Sequence, residues 1–242
     1  MKKITTILFA CIFATLVWAQ TAQEYLMLGN SAYQKGEYAQ AKQDYQNAIN
    51  EGGNSAELYF NIANASAKLN KKGEALLYYM RALVEQPRLR EAEANLKLFA
   101  KDNGMKLPEK SSVEMYLLEL SQFEWVILTA ITFWIVIGLI FIPRMYIKKI
   151  SVYIFLAIIF AIITVVGIIG IIKCNNINNT AIALNDDVAL RLSPTPNAPI
   201  SSTIQEGTFA RVLKYKDNYI YVRTSSGKVG WAEKTQLTPI NE

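Results

Sequence analysis

The sequence predicts a multidomain α plus β chain in which helical repeats, a two-helix transmembrane hairpin and a small β-rich module follow one another. Three observations predict it. Residues 22–55 repeat at 56–89, two long apolar runs without a charge fill the middle of the chain, and short strand-like runs divided by turns follow them.

The repeat comes first. At an offset of 34 residues Tyr25 meets Tyr59, Leu28 meets Ile62, Gly29 meets Ala63 and Ala41 meets Ala75. Further along, Tyr45 meets Tyr79, Ala48 meets Ala82 and Ile49 meets Leu83, and Pro87 closes the second copy. Small residues at recurring positions let two helices approach closely while a tyrosine fills the space between them. Gly36 supplies a turn, where a left-handed backbone costs little. Two repeats leave one apolar face open, so a capping helix is expected over 90–100, packing through Ala94, Leu96 and Ala100.

This pattern over residues 22–100 resembles the tetratricopeptide-repeat (TPR) family. The resemblance implies a groove lined by the first helix of each repeat that binds an extended peptide or a partner helix. In this sequence the groove residues are Asn30, Tyr33, Phe60, Asn61, Asn64 and Asn95. Asn30 and Asn64 are equivalent, as are Asn61 and Asn95. Asparagine is a poor helix former, and its amide pairs at two points with a peptide backbone, so its recurrence in helices points to a use. Leu26 and Glu91 stand where members that clamp a carboxylate carry basic residues, which argues against carboxylate clamping here.

The runs from Trp125 to Ile142 and from Ile150 to Ile172, 18 and 23 residues, are each long enough to cross about 30 Å of hydrocarbon as a helix. They predict transmembrane helices over 125–142 and 150–172. Between them the loop 143–149 carries Arg144, Lys148 and Lys149 and no acid, which places it in the cytoplasm and both flanks outside. Lys2 and Lys3 before the apolar run Ile4–Trp18 predict a signal peptide over 1–19, cleaved after Ala19. Ser111 and Glu114 form a capping box, and Val113, Tyr116, Leu117 and Leu120 follow at helical spacing, so an amphipathic lead-in helix is expected over 111–124. The expected location is therefore the cytoplasmic membrane, with contact to its lipid bilayer.

The net charge of +5 does not signal nucleic acid. Residues 20–124 hold 12 basic and 14 acidic side chains and residues 174–242 hold seven and six, so the excess sits at the signal peptide and the membrane borders. The sequence contains no histidine, which removes imidazole bases, histidine-activated nucleophiles and most zinc sites. Cys174 is the one thiol besides Cys11 in the signal peptide. Asp186 and Asp187 form an adjacent acid pair in a turn-like segment, where solvated turn chemistry accounts for them. No catalytic residue, metal site or cofactor is expected, and the chain reads as a non-enzyme.

Over residues 181–240, runs such as Val188-Ala-Leu-Arg-Leu and Tyr219-Ile-Tyr-Val-Arg alternate with Pro194, Pro196, Pro199 and Gly207. Sixty residues of this texture fit a small β-barrel. Arg191, Glu206-Gly207-Thr208 and Gly227-Lys-Val-Gly230-Trp231 resemble the bacterial SH3-like family, whose members bind peptidoglycan or peptides. Tyr215, Tyr219 and Tyr221 are the candidate contact surface.

Taken in order, signal peptide, TPR pair, basic-looped hairpin and SH3-like module resemble the BatE-type family of the Bacteroides aerotolerance (Bat) operon. That resemblance implies partnership with Bat membrane proteins carrying von Willebrand A-type domains and a part in tolerance of oxygen or envelope stress. The resulting expectation is a periplasmic scaffold acting through the TPR groove. The alternative is a cell-wall sensor binding peptidoglycan through the SH3-like module.

Overall fold

The computed structural model describes residues 21–53, 55–109, 111–141 and 150–241. The signal peptide, Cys11 and the basic loop lie outside the described residues. The chain divides into two compact units, one formed by residues 21–108 with 179–241 and one by residues 109–178.

In the first unit, α1 (residues 21–34), α2 (Tyr38–Asn50), α3 (Ala56–Lys68), α4 (Lys72–Glu85) and α5 (Arg90–Asp102) form the repeats. Gly36 turns α1 into α2 at φ +80°, and Asn70, 34 residues on, turns α3 into α4 at φ 58°. Asparagine tolerates this left-handed geometry better than most residues, which is why the second copy manages without glycine. The expected seam is present: Ala41, Ala48, Ala75 and Ala82 are fully buried, with Tyr45 and Tyr79 beside them. At Gly29 a Cβ would lie 2.5 Å from the Tyr45 ring, so only glycine admits that ring.

Two details differ from expectation. Ile62 is fully buried, but its counterpart Leu28 is 55% exposed, because among the described residues no helix precedes α1 to cover it. In α5 the packing residues are Ala92, Leu96 and Ala100, spaced four apart on one stripe, while Ala94 is exposed. Ala94 lies two positions from both Ala92 and Leu96, a spacing that points it away from the stripe.

Seven strands follow in the same unit: β1 (Thr180–Ala183), β2 (Val188–Arg191), β3 (Ile200–Ile204), β4 (Phe209–Lys216), β5 (Tyr219–Thr224), β6 (Val229–Glu233) and β7 (Leu237–Pro239). They form one sheet in the order β3-β2-β6-β5-β4-β1-β7. Alternate residues from all seven strands, among them Leu190, Ile204, Ile220, Val222 and Leu237, meet in one apolar cluster, so the sheet curls around its own core. The closed barrel expected from the sequence is not what forms. The ladder is open, with β3 and β7 as its edges, and β2 joins β6 through the single pair Arg191↔Trp231.

The repeats and the sheet pack directly on each other. The N-cap of α4, Lys71, offers its helix no side-chain acceptor, and the Gly73 N–H instead donates to Glu206 Oε1 at 2.7 Å. A carboxylate from the β3–β4 turn thus caps α4, satisfying an orphan amide and complementing the helix dipole. A side chain at Gly73 would collide with the Ala183 carbonyl, and one at Gly207 would lie 2.6 Å from Met105 Cε. Nine residues along α4 from Lys72, Arg81 donates from Nε to Ile240 O and from Nη2 to Pro239 O, each at 3.0 Å, with its guanidinium 5.3 Å from the Tyr78 ring.

The second unit contains α6 (Ser112–Leu117), α7 (Gln122–Phe141) and α8 (Ile150–Asn178). By length and composition α7 and α8 can each cross a membrane. The lead-in segment over 111–124 is not one helix: α6 ends at Leu117, and a second capping box, Ser121 with Glu124, starts α7. The break lets Leu117 turn inward onto Trp125, whose Nε1–H donates to Leu117 O at 2.8 Å, while Val113 and Tyr116 stay exposed. Lys173 of α8 pairs with Glu114 of α6, and this hydrogen bond, with the Ser111 amide, holds the Glu114 carboxyl below its ordinary value. Along the two long helices Gly170 receives the Trp125 indole, where a Cβ would lie 2.5 Å from the ring, and Thr164 donates to Thr132 Oγ1 at 2.9 Å. Cys174 is buried beside Leu117 and Trp125.

Candidate functional site

The repeats place α1 and α3, the first helices of the two copies, side by side. A cleft of about 180 Å³ opens there, lined by Asn30, Tyr33, Gln34, Tyr45, Asn61 and Asn64. Four of the six residues singled out from the sequence are in this lining. Of the other two, Asn95 meets the lining, its Nδ2 donating to Asn64 Oδ1 at 3.2 Å, whereas Phe60 lies outside it, with its ring 6.1 Å from that of Tyr79.

One bond recurs with the repeat. Tyr45 donates its hydroxyl to Asn30 Oδ1 at 2.8 Å, and Tyr79 donates to Asn64 Oδ1 at 2.7 Å. Both tyrosines are buried, so their hydroxyls need an acceptor, and the two asparagines supply it. The bond also sets which way each amide faces. Asn64 Oδ1 accepts from both Tyr79 and Asn95, so what Asn64 has left to offer a ligand is its Nδ2–H donors, whereas Asn30 Oδ1, engaged by Tyr45 alone, keeps one lone pair beside its Nδ2–H donors. Asn61 differs, because its side-chain amide has no partner among the described residues.

Burial, helped by Tyr33, Glu57 and Asp44, pushes the Tyr45 hydroxyl up to about 12. Burial does the same to Tyr79, also to about 12, against a lowering by its hydrogen bond to Asn95. Both therefore remain protonated donors throughout the neutral range. A tyrosine held protonated in the fold beyond its unfolded value stabilises fully below that value, about 10. The contribution is lost as pH rises toward 12. The melting temperature of the repeats is thus expected to fall between about pH 10 and 12, and Tyr79→Phe is expected to flatten that fall; a curve unchanged by the substitution would remove Tyr79 as its source.

Tyr215, Tyr219 and Tyr221 do not share one face. The hairpin register sets Lys216 opposite Tyr219 and Tyr215 opposite the buried Ile220. Tyr219 and Tyr221 thus lie on the outer face, where the Tyr221 ring is 5.2 Å from that of Trp231 and the Tyr219 hydroxyl is 3.4 Å from Glu233 Oε1. Tyr215 lies on the other face at the end of its strand, 5.4 Å from the Lys234 ammonium.

The sequence missed Gln34 and the role of the Tyr45 hydroxyl. The equal spacing from Asn30 to Tyr45 and from Asn64 to Tyr79 was the signal that could have revealed the bond.

Paired antiparallel helices at a 34-residue period, a capping helix and an amide-lined cleft define a helical-repeat interaction module. The tetratricopeptide-repeat family model matches residues 22–50 and 56–87, so the chain carries two TPR repeats, which generally serve protein partners as scaffolds rather than catalyse reactions. No curated protein matches the chain.

Proposed function

We propose that the chain is a non-enzymatic, membrane-anchored scaffold that holds an extended, uncharged segment of a partner protein in its TPR cleft. The observation that carries this reading is the cleft itself: an uncharged lining in which tyrosine bonds orient two asparagine amides and leave their N–H donors available. Backbone carbonyls of an extended chain are the acceptors that fit.

Anchoring rests on α7 and α8, whose surfaces are largely bare apolar side chains such as Trp134, Phe155 and Ile162. In water such a surface is a liability, and in lipid it is a match. Packing of α4 on the sheet supports a reading in which the segments before and after the two helices share one side of the membrane, as a two-helix hairpin would leave them. With the basic loop in the cytoplasm, both segments are then periplasmic. The curled sheet and its Gly227-Lys-Val-Gly230-Trp231 stretch are read as an SH3-like module. The resemblance to the BatE-type family names Bat membrane proteins with von Willebrand A-type domains as the partners, in tolerance of oxygen or envelope stress. The rival is a peptidoglycan sensor acting through the sheet, for which Tyr219 and Tyr221 on one face and Tyr215 on the other offer no single three-tyrosine surface.

A photo-cross-linking residue at position 61 in intact cells tests the cleft, with the captured protein then rebound to purified chain. Asn61→Ala is expected to weaken that binding about two- to tenfold, at about 0.5–1.5 kcal/mol per lost hydrogen bond, with an unchanged melt. Asn64→Ala is expected to lower the melt as well, because the buried Tyr79 hydroxyl loses its acceptor. Full binding by Asn61→Ala would move the contact away from the cleft.

A further inference from the structure

The outer face of the sheet carries a second surface that the scaffold reading does not use. Register defines it. Lys214 on β4 stands opposite Tyr221 on β5, Tyr221 opposite Trp231 on β6, Trp231 opposite Arg191 on β2, and Arg191 opposite Ile200 on β3. One row across five strands thus sets two touching aromatic rings between two cations. Beside it, Arg211 faces Arg223 across β4 and β5, and Lys216 faces Tyr219.

Among the described strand residues on this face the one acid is Glu233, and its carboxylate already meets the Tyr219 hydroxyl. Arg191 is held in place by donating from Nη1 to Ala198 O at 2.8 Å, which leaves other guanidinium donors available. Lys214, Lys216 and Arg223 are exposed.

We propose that this face binds an extended acidic peptide segment, in which two carboxylates four residues apart bracket an apolar side chain. The spacing follows from the row. From β2 to β4 is three strand steps of about 4.8 Å, so Arg191 and Lys214 stand about 14 Å apart, and an extended chain advancing about 3.3 Å per residue covers that in four residues. Carboxylates at the first and fifth positions and an apolar side chain at the third all project to one side, over Arg191, Lys214 and the aromatic pair. Tyr221 and Trp231 are half-buried and packed against each other, which makes them a platform for stacking rather than a wedge for entering a bilayer.

The test uses the full chain in detergent and a fluorescent Glu-Ser-Phe-Ser-Glu peptide followed by anisotropy. The peptide is expected to bind, more weakly at high salt, and its Gln-Ser-Phe-Ser-Gln counterpart to bind at least tenfold more weakly. Lys214→Glu with Arg223→Glu, both on exposed strand positions, is expected to weaken the acidic peptide about tenfold with an unchanged melt. Equal binding of the two peptides, or an affinity indifferent to the double substitution, overturns the proposal. So does binding of anionic vesicles or of murein sacculi by a chain that ignores the acidic peptide. The readout does not involve the TPR cleft, so failure here leaves the scaffold reading intact.

Discussion

Gly73→Val is expected to pry the repeats from the sheet. A valine side chain there meets the Ala183 carbonyl and the Leu184 backbone, neither of which is the movable end of a side chain. Overpacking of this kind costs about 1–3 kcal/mol, and displacing Glu206 from the start of α4 costs about 1 kcal/mol more. For a unit of this size that amounts to a fall in melting temperature of roughly 5–15 °C. Glu206→Ala removes only the cap and should show the smaller part of the loss, while Glu206→Gln retains an acceptor and should show less again. Limited proteolysis after Gly73→Val is expected to cut between repeats and sheet at sites protected in the native chain. A native melt and native digestion pattern would mean that α4 does not depend on the sheet.

Ala75→Trp should do more damage still. Ala75 is fully buried in the seam, where its methyl group is all that the facing helices admit. A tryptophan there cannot be housed by shifting one rotamer, and a cost of about 3 kcal/mol or more is expected, enough to unfold a two-repeat module. Far-ultraviolet circular dichroism would show loss of helix. Ala94→Trp is the matched control, since Ala94 is exposed and the same side chain there should leave the helix signal and melt nearly unchanged. Retention of native helicity by Ala75→Trp would contradict the close approach of the repeat helices.

The two TPR repeats were legible because close helix packing leaves a periodic trace: alanine recurs where backbones touch, and tyrosine recurs where space must be filled. The cleft residues were legible for the same reason, since Asn30 and Asn64 share one repeat position. What the asparagines do was not. A side-chain amide next to a tyrosine in three dimensions is fifteen residues away in sequence, and only the structure shows that Asn64 supports the seam as well as lining the cleft. The separation of Tyr215 from Tyr219 and Tyr221 depends on the turn at Asp217-Asn218. With Asp217 at φ 50°, two residues close the hairpin and pair Lys216 with Tyr219, which reverses the side that Tyr215 faces. Counting odd positions misses this. Packing of the repeats on the sheet was illegible because its signs are ordinary: Gly73 reads as a helix-start glycine and Glu206 as a turn carboxylate. Their partnership spans 133 positions, and no local pattern carries it.

That long separation gives the chain an order of assembly. Arg81 binds carbonyls 158 and 159 positions further on, so at about 5–20 residues per second a ribosome needs roughly 10–30 s to supply them after Arg81 itself is made. During that interval α4 has neither its borrowed cap nor the surface it packs on, and the two long apolar helices are being synthesised. Until the returning strands are made, the flank of α4 that they cover in the finished fold has no partner from those strands. A chaperone that shields this flank, or a partner that occupies the cleft early, would act on yield rather than on the final structure.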